Sequence, residues 1–198
     1  MMDTDEKLKS LRNRVVGIAG CGGLGSNCAV ALARSGIGQL ILVDFDVVSV
    51  GNLNRQYYFV DQVGMKKVDA LAQNIKRIIP SVSLDCKDIK LEPDCILRLF
   101  KNCDVIVEAF DHAEQKQMLV ETVLSQMPGK YIVSGIGLAG WGANSSIREL
   151  RYGKLFVCGD QVLEVSDILP PLAPRVGVVA HMQANAVLEI LLDIIPGS

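Results

Sequence analysis

The feature that most constrains this 198-residue chain is a five-residue apolar run, Val15 to Ala19, which leads directly into Gly20-Cys21-Gly22-Gly23-Leu24-Gly25. Five residues are too few for a helix. An apolar run without alternation is what a parallel strand buried on both faces requires. Leu24 to Arg34 is alanine-rich and long enough for a helix, and Gly36 stands where a C-cap is wanted. A strand, a glycine turn and a helix therefore open the fold.

The same alternation continues. Gln39 to Val43 is a second apolar run ending at Asp44, and residues 45–63 form a long connection without a clear period. Long irregular connections in compact domains tend to be functional. Met65 to Ile79 reads as a helix with Val68, Leu71, Ile75 and Ile78 on one stripe and Pro80 as its stop. Val82 to Lys87, Val105 to Ala109 and Tyr131 to Ser134 read as strands, Pro93 to Phe100 and His112 to Gln126 as helices. Residues 3–13, with Leu8 and Leu11 three apart, suggest a short lead-in helix. Such a series predicts an α/β, Rossmann-like doubly wound sheet, mostly parallel, with helices on both faces. From Ser145 to Gln161 two strand-like segments around Tyr152-Gly153 predict an antiparallel edge hairpin. Pro170, Pro171 and Pro174 predict a stiff loop, and a final helix is expected from Arg175 to Asp193. No repeat or linker divides the chain, so residues 1–198 are expected to form a single domain.

Composition excludes several functions. Hydrophobic residues make up 49% and aromatics only 5%, fewer than a base-stacking protein usually carries. With 20 basic and 22 acidic residues, net charge −2, there is no footprint for nucleic acid or an anionic membrane. Val15 to Ala33 lacks charge but holds five glycines, and Tyr131 to Ile147 is also rich in Gly and Ser. Buried strands followed by glycine loops explain both better than membrane spans. Met1 to Ser10 is polar, without the pattern of a signal peptide. The six cysteines (21, 28, 86, 95, 103 and 158) contain no C-x-x-C pair. The expectation is free, mostly buried thiols, no zinc site and a cytoplasmic protein.

Glycines at 20, 22 and 25 fit a tight turn, close backbone approach to a phosphate and close helix packing, with the helix N-terminus facing the anion. Asp44, 19 residues beyond Gly25, ends the second strand, where a carboxylate accepts from ribose hydroxyls. This much indicates an adenine nucleotide without separating NAD from ATP. The next segment places Asn52, Arg55 and Gln56 on the long loop and Lys67 in the first turn of the following helix. Two cations and amide groups suit a triphosphate better than one pyrophosphate bridge. Singly, Arg55 and Lys67 each read as surface residues; together, after a glycine loop, they do not. Asp111 ends the fourth strand segment, where one carboxylate plus phosphate oxygens can hold Mg²⁺, although N-capping of the next helix is a competing role.

The glycine loop, the Asp-x-Asp pair Asp44 and Asp46, Asn52-Leu53-Asn54-Arg55-Gln56, Lys67, Asp111 and Ala173-Pro174-Arg175-Val176-Gly177 together resemble the ThiF/MoeB/ubiquitin-activating-enzyme family. The resemblance runs from about Arg14 to the end and is nearest to short ThiF-like proteins of thiamine biosynthesis. It implies ATP- and Mg²⁺-dependent adenylation of the C-terminal glycine of a ubiquitin-like, ThiS-like sulfur carrier, with release of pyrophosphate. It implies catalytic roles for Arg55, Lys67 and Asp111, the last as the Mg²⁺ ligand. Nucleotide contacts would come from Gly20, Gly22, Gly23, Gly25, Asp44, Asp46, Asn52, Arg55, Gln56 and Lys67. Longer members carry two C-x-x-C pairs on a zinc ion, which are missing here. An N-terminal arginine reaching into the partner subunit has only Arg12 or Arg14 as substitutes.

Other readings compete. An NAD-binding redox protein explains the glycine loop and Asp44 but not Arg55, Lys67 and Asp111 together. A non-catalytic docking subunit would not need the full nucleotide set. Adenylation of a modified tRNA base finds no basic patch. Cys158 is the only late cysteine and hence the one candidate thiol acceptor, though a buried strand cysteine is the expected reading. Cys21, His112 and His181 are expected to be inert or merely packed. Arg55 and Lys67 are expected at exposed positions, where truncation leaves folding nearly unchanged. A homodimer is expected, through Val176, Val179, Val187 and Ile190 of the last helix with Leu169 and Leu172 before it.

Overall fold

The computed structural model describes residues 3–160, 162, 163, 165, 166 and 168–192. After helix α1 (Thr4–Ser10), the chain runs β1 (Val15–Ala19), α2 (Gly23–Arg34), β2 (Gln39–Val43), α3 (Lys67–Ile78), β3 (Ser83–Lys87), α4 (Pro93–Leu99), β4 (Val105–Glu108) and α5 (Ala113–Gln126). It continues through β5 (Tyr131–Ile136), β6 (Arg148–Tyr152), β7 (Leu155–Gly159) and α6 (Ala173–Leu191). The sheet order is β3-β2-β1-β4-β5-β7-β6. Every pair is parallel except β6–β7, so the α/β, Rossmann-like doubly wound reading and its antiparallel edge hairpin both hold.

Alternate strand residues feed two cores, one on each face. Val16, Ile18, Leu40, Leu42, Val105 and Val107 pack with α2, α3 and α6. Ala19, Ile41, Val43 and Ile106 pack with Ile96 and Phe100 of the α4 segment and with Leu119 and Val123 of α5. Gly17 faces the second core because a Cβ there would stand 2.5 Å from Phe100. The strand order reverses between β1 and β4, and the carboxyl ends of these two strands open a crevice, the usual ligand position in such sheets.

Four expectations are corrected. Helix α3 starts at Lys67 and not Met65, because Met65 and Lys66 are tied back to the loop: Val48 N–H donates to Met65 O at 2.8 Å and Val47 bridges Lys66. Pro174 lies in the first turn of α6, where a missing N–H is harmless, and not in the proline loop. The N-cap of α5 is His112, so Asp111 is free of the capping role. Val176, Val179, Val187 and Ile190 are all buried within the subunit, since α6 packs against α2 and the sheet, so they offer no face to a second copy. The expected strand end at Gln161 and helix end at Asp193 lie outside the described residues.

Candidate functional site

A cleft of about 550 Å³ opens at the β1–β4 switch. Its first wall begins with the glycine loop. Gly20 adopts φ +95°, and a Cβ there would stand 2.8 Å from Ala109 O. A Cβ on Gly25 would stand 1.8 Å from Gly20 O, so Gly25 closes the turn and does not line the cleft. Gly22 differs: a Cβ would meet only Gln56 Nε2, at 3.8 Å. That open approach, beside a helix N-terminus with no side-chain cap, suits an anion.

Asp44 stands at the end of β2 with one oxygen accepting from Cys21 N–H at 2.6 Å and the other from Asp46 N–H at 2.8 Å. Burial pushes its pKa up, against the opposing pull of Lys67 and the two amides. It therefore braces the glycine loop as well as lining the cleft.

The 45–63 connection is stitched down. Asn27 Nδ2 donates to Arg55 O at 3.0 Å, and Tyr57 N–H donates to Ser26 Oγ at 3.0 Å. Tyr58 Oη donates to Cys21 O at 2.7 Å. From the loop, Gln62 exchanges amide hydrogen bonds with Asn74 of α3, both 2.9 Å. These ties set Arg55 beside Gly23, with Arg55 Cγ 3.6 Å from where a Cβ would stand. The Arg55 guanidinium donates to Gly51 O at 3.0 Å and Asn54 Oδ1 at 2.8 Å, both acceptors from its own loop. The Gln56 Oε1 atom is buried without a partner among the described residues. A carbonyl oxygen accepts, so what it lacks is a donor, which phosphate oxygens do not supply.

Lys67 departs from expectation. It is not on an exposed helix end: its side chain is 8% exposed and pairs with Asp46 at 2.6 Å. Asp46, half-exposed, thus orients a cation within the cleft. Asn52 does not line the cleft; its Oδ1 accepts from Ser49 N–H at 3.0 Å and shapes the turn that carries Arg55. Asp111 stands on the far lip with its side chain 91% exposed, beside an exposed His112 at 3.7 Å. Among the described residues no three His, Cys, Asp or Glu side chains group as a metal site. A lone exposed carboxylate still fits Mg²⁺, which takes one or two carboxylates and completes its shell with phosphate oxygens and water.

The second wall was not read from sequence. Glu108, fully buried at the end of β4, accepts from Phe110 N–H at 2.8 Å, from Ser134 Oγ at 2.5 Å and from Lys116. Gln183 donates to Glu108 O at 2.9 Å from α6. Arg175, itself buried, donates to Gly137 O at 3.2 Å, Gly142 O at 2.7 Å and the buried Asp160 at 2.6 Å. The Ser146 hydroxyl, the Val162 amide and Arg175 hold the Asp160 carboxyl below its ordinary range. A signal existed for Gln183, a polar residue on the apolar stripe Val176, Ala180, Val187. None existed for Glu108 and Lys116, whose meeting depends on how α5 lies on the sheet.

The cysteines are free, and Cys21, Cys28, Cys103 and Cys158 are buried. Burial pushes the Cys158 thiol up to about 12, so it is not a poised nucleophile. Arg14 pairs with Asp104 of its own chain at 3.3 Å, at the amino end of the sheet and away from the cleft. His181 is satisfied by Gly177 O at 2.7 Å. No helix among the described residues is long and apolar enough to cross a membrane.

Known proteins resemble this chain in sequence and in fold. The chain is 32% identical over 191 residues to adenylyltransferase and sulfurtransferase MOCS3 of Caenorhabditis briggsae, covering 92% of this chain and 46% of that one. It is 32% identical over 118 residues to molybdopterin-synthase adenylyltransferase of Haemophilus influenzae, covering 59% of this chain and 47% of that one. The chain thus spans about half the length of these relatives. In fold it matches E. coli tRNA N6-threonylcarbamoyladenosine dehydratase, TcdA, solved with ATP, at TM-score 0.86 and 20% identity, covering 96% of this chain and 90% of that one. E. coli MccB solved with ATP matches at TM-score 0.71 and 24% identity, covering 94% and 58%. At such identities the likeness is one of fold. The profile of the ThiF family matches residues 2–197, and on that match the chain belongs to the ThiF family.

Proposed function

We propose that this protein is an adenylyltransferase that uses ATP to activate the C-terminal glycine carboxylate of a small ubiquitin-like sulfur carrier of the ThiS type, in thiamine biosynthesis. The observation that carries the reading is the convergence of Arg55 and Lys67 on one wall of a cleft that begins at a helix N-terminus. Two cations suit a triphosphate better than the single pyrophosphate bridge of a redox dinucleotide. The names of the relatives, adenylyltransferases among them, support the same chemistry.

An oxygen of the acceptor carboxylate forms the bond to the α-phosphorus, and the bond from that phosphorus to the bridging oxygen breaks, so the pair of electrons leaves on pyrophosphate. No general base is required, because the nucleophile is already ionised. Asp44 binds ribose, while Arg55, Lys67 and the amides of the glycine loop neutralise charge that grows on the departing phosphates. Asp111 is the residue that would hold Mg²⁺, whose charge, when bound, neutralises phosphate oxygens. We place the protein in the cytoplasm, which free thiols support. We also propose a homodimer, now through the loop that exposes Phe45, Val47, Val50, Phe59, Val60 and Val63 in place of α6.

The deciding experiment is ATP–pyrophosphate exchange with and without a carrier ending in Gly-Gly. Carrier-dependent exchange is the expected result. Tight binding of NADH with no binding of ATP overturns the reading. Light scattering at twice the 21.4 kDa chain mass is expected for the dimer.

A further inference from the structure

The second wall of the cleft contains a buried ion pair that the nucleotide does not need. Glu108 is fully buried, and both its oxygens are occupied by Phe110 N–H, Ser134 Oγ and Lys116 Nζ. Burying a carboxylate strips it of hydration even where a partly covered ammonium faces it, and well-packed apolar residues of similar volume commonly do as well. The pair therefore calls for a reason beyond packing.

Its effect is to hold an ammonium at a fixed place. Lys116 comes from the second turn of α5, and its Nζ donates to Glu108 Oε2 and, at 2.9 Å, to Gly135 O of β5. A lysine ammonium has three N–H donors. Two are used among the described residues, and the side chain, 23% exposed, lines the cleft. The anchors come from β4 and β5, so Lys116 stands on the wall opposite the segment that carries Arg55 and Lys67. Along the same wall run Gly135, Ile136 and Gly137, where β5 ends in a turn with Gly137 at φ +64°.

From this placement we infer that Lys116 binds the acceptor: its third N–H receives a carboxylate oxygen of the incoming chain end and holds it toward the phosphate. The inference rests on the adenylation reading above. An anionic acceptor approaching a triphosphate meets repulsion, and a donor on the acceptor side offsets it. Glu108 keeps Lys116 from folding over onto the phosphates, and through Phe110 N–H it also sets the turn that leads to Asp111. Lys116 is in this sense a binding residue and Glu108 a positioning residue.

The test uses the full chain and a ubiquitin-fold carrier with a C-terminal Gly-Gly, prepared with either a free carboxylate or a carboxamide end. Calorimetry without ATP measures carrier binding. For the wild type, the carboxylate form is expected to bind about tenfold more tightly, a difference of about 1.4 kcal/mol. In Lys116→Met the two forms should bind alike, and in Lys116→Arg most of the difference should return. ATP affinity, measured separately, should stay within about twofold in both variants. Lys116→Met leaves Glu108 unpaired, so Glu108→Gln/Lys116→Met provides a version with neither buried charge, and the same loss of discrimination is expected of it. A variant without Lys116 that folds and still prefers the carboxylate overturns the inference, as does a fall in ATP affinity that parallels the loss of carrier binding. Failure of the adenylation reading looks different: the wild type then binds ATP but shows neither carrier binding nor carrier-dependent exchange.

Discussion

The two walls of the cleft are held by opposite means. On the β1–β2 side the groups at the rim have one or two tethers and stay partly open: Arg55 leans on its own loop, and Asp46 is half-exposed against a buried Lys67. On the β4–β7 side the groups are tied from beneath. Arg175 and Asp160 are both nearly inaccessible, and this one pair gathers the Gly137 turn, Gly142, the Ser146 turn, Val162 and the start of α6. The difference teaches where substitution should act. Groups left open on the first wall report on ligand, while those closed on the second report first on the fold.

Arg175→Met is the variant with the largest expected effect on stability. It leaves Asp160 without its cation, with Ser146 and Val162 still as partners, and frees the Gly137 and Gly142 carbonyls, so a clear loss of stability is expected. Urea unfolding at neutral pH measures it. A loss below about 1 kcal/mol would break the comparison, because the second wall would then hold without its pin. Converting both partners, Arg175→Met with Asp160→Leu, should recover much of the loss.

On the first wall the expected loss lies in rate. Arg55→Ala should slow exchange by about a hundredfold, the worth of one charge contact to a transition-state phosphate at about 2–4 kcal/mol. Its melting temperature should barely move, since its partners are exposed loop acceptors. Lys67→Ala should slow exchange as much but also cost stability, because its buried stem and its bond to Asp46 are lost together. If both variants melt alike, the assignment of Lys67 as the more structural of the two cations is wrong.

Acid sharpens the contrast further. Asp44 is pushed up by burial, so its neutral form gains in the fold, and acidification through its folded value removes the charge at no loss of stability. Asp160 is held down, chiefly by Ser146, so its contribution is complete above the unfolded value of about 3.9 and is lost only as pH falls through the lower folded value. On lowering pH from neutrality, ATP affinity should therefore fall while the protein is still folded. Titration of the wild type against Asp44→Asn isolates the carboxyl: the variant should lack the part of the fall that belongs to Asp44. Coincident loss of binding and of folding in the wild type counts against the separation of the two walls.

The smallest effect is expected at Cys158. Its thiol sits inside the β7 layer with a pKa pushed up to about 12 by burial, so little thiolate forms at neutral pH. Cys158→Ala should keep exchange within about twofold of wild type, the usual range of a small buried replacement that touches no ligand. A modified Cys158 found by mass spectrometry after turnover with carrier would place a nucleophile on the wall described here as structural.

The sheet, its order of strands and helices, its edge hairpin and the first wall of the site were legible in the chain because local signals encode them. Buried parallel strands read as short apolar runs, the glycine turn is contiguous, and Asp44, Arg55, Gln56 and Lys67 follow it at loop and helix ends whose positions the alternation sets. Even there the chain misled on environment: Lys67 looked solvated beside Lys66, but Asp46, 21 residues earlier, folds back to cover it. The apolar residues of α6 looked surplus until α2 packed on them. Apart from Asp111, the second wall was decided by tertiary structure. Glu108 and Lys116 look like ordinary charged residues in a strand and a helix, and Arg175 and Asp160 stand 15 residues apart with a proline loop between them. A buried ion pair exists only once two elements have excluded water from around it, and that exclusion depends on crossing geometry, which no periodicity in either element records.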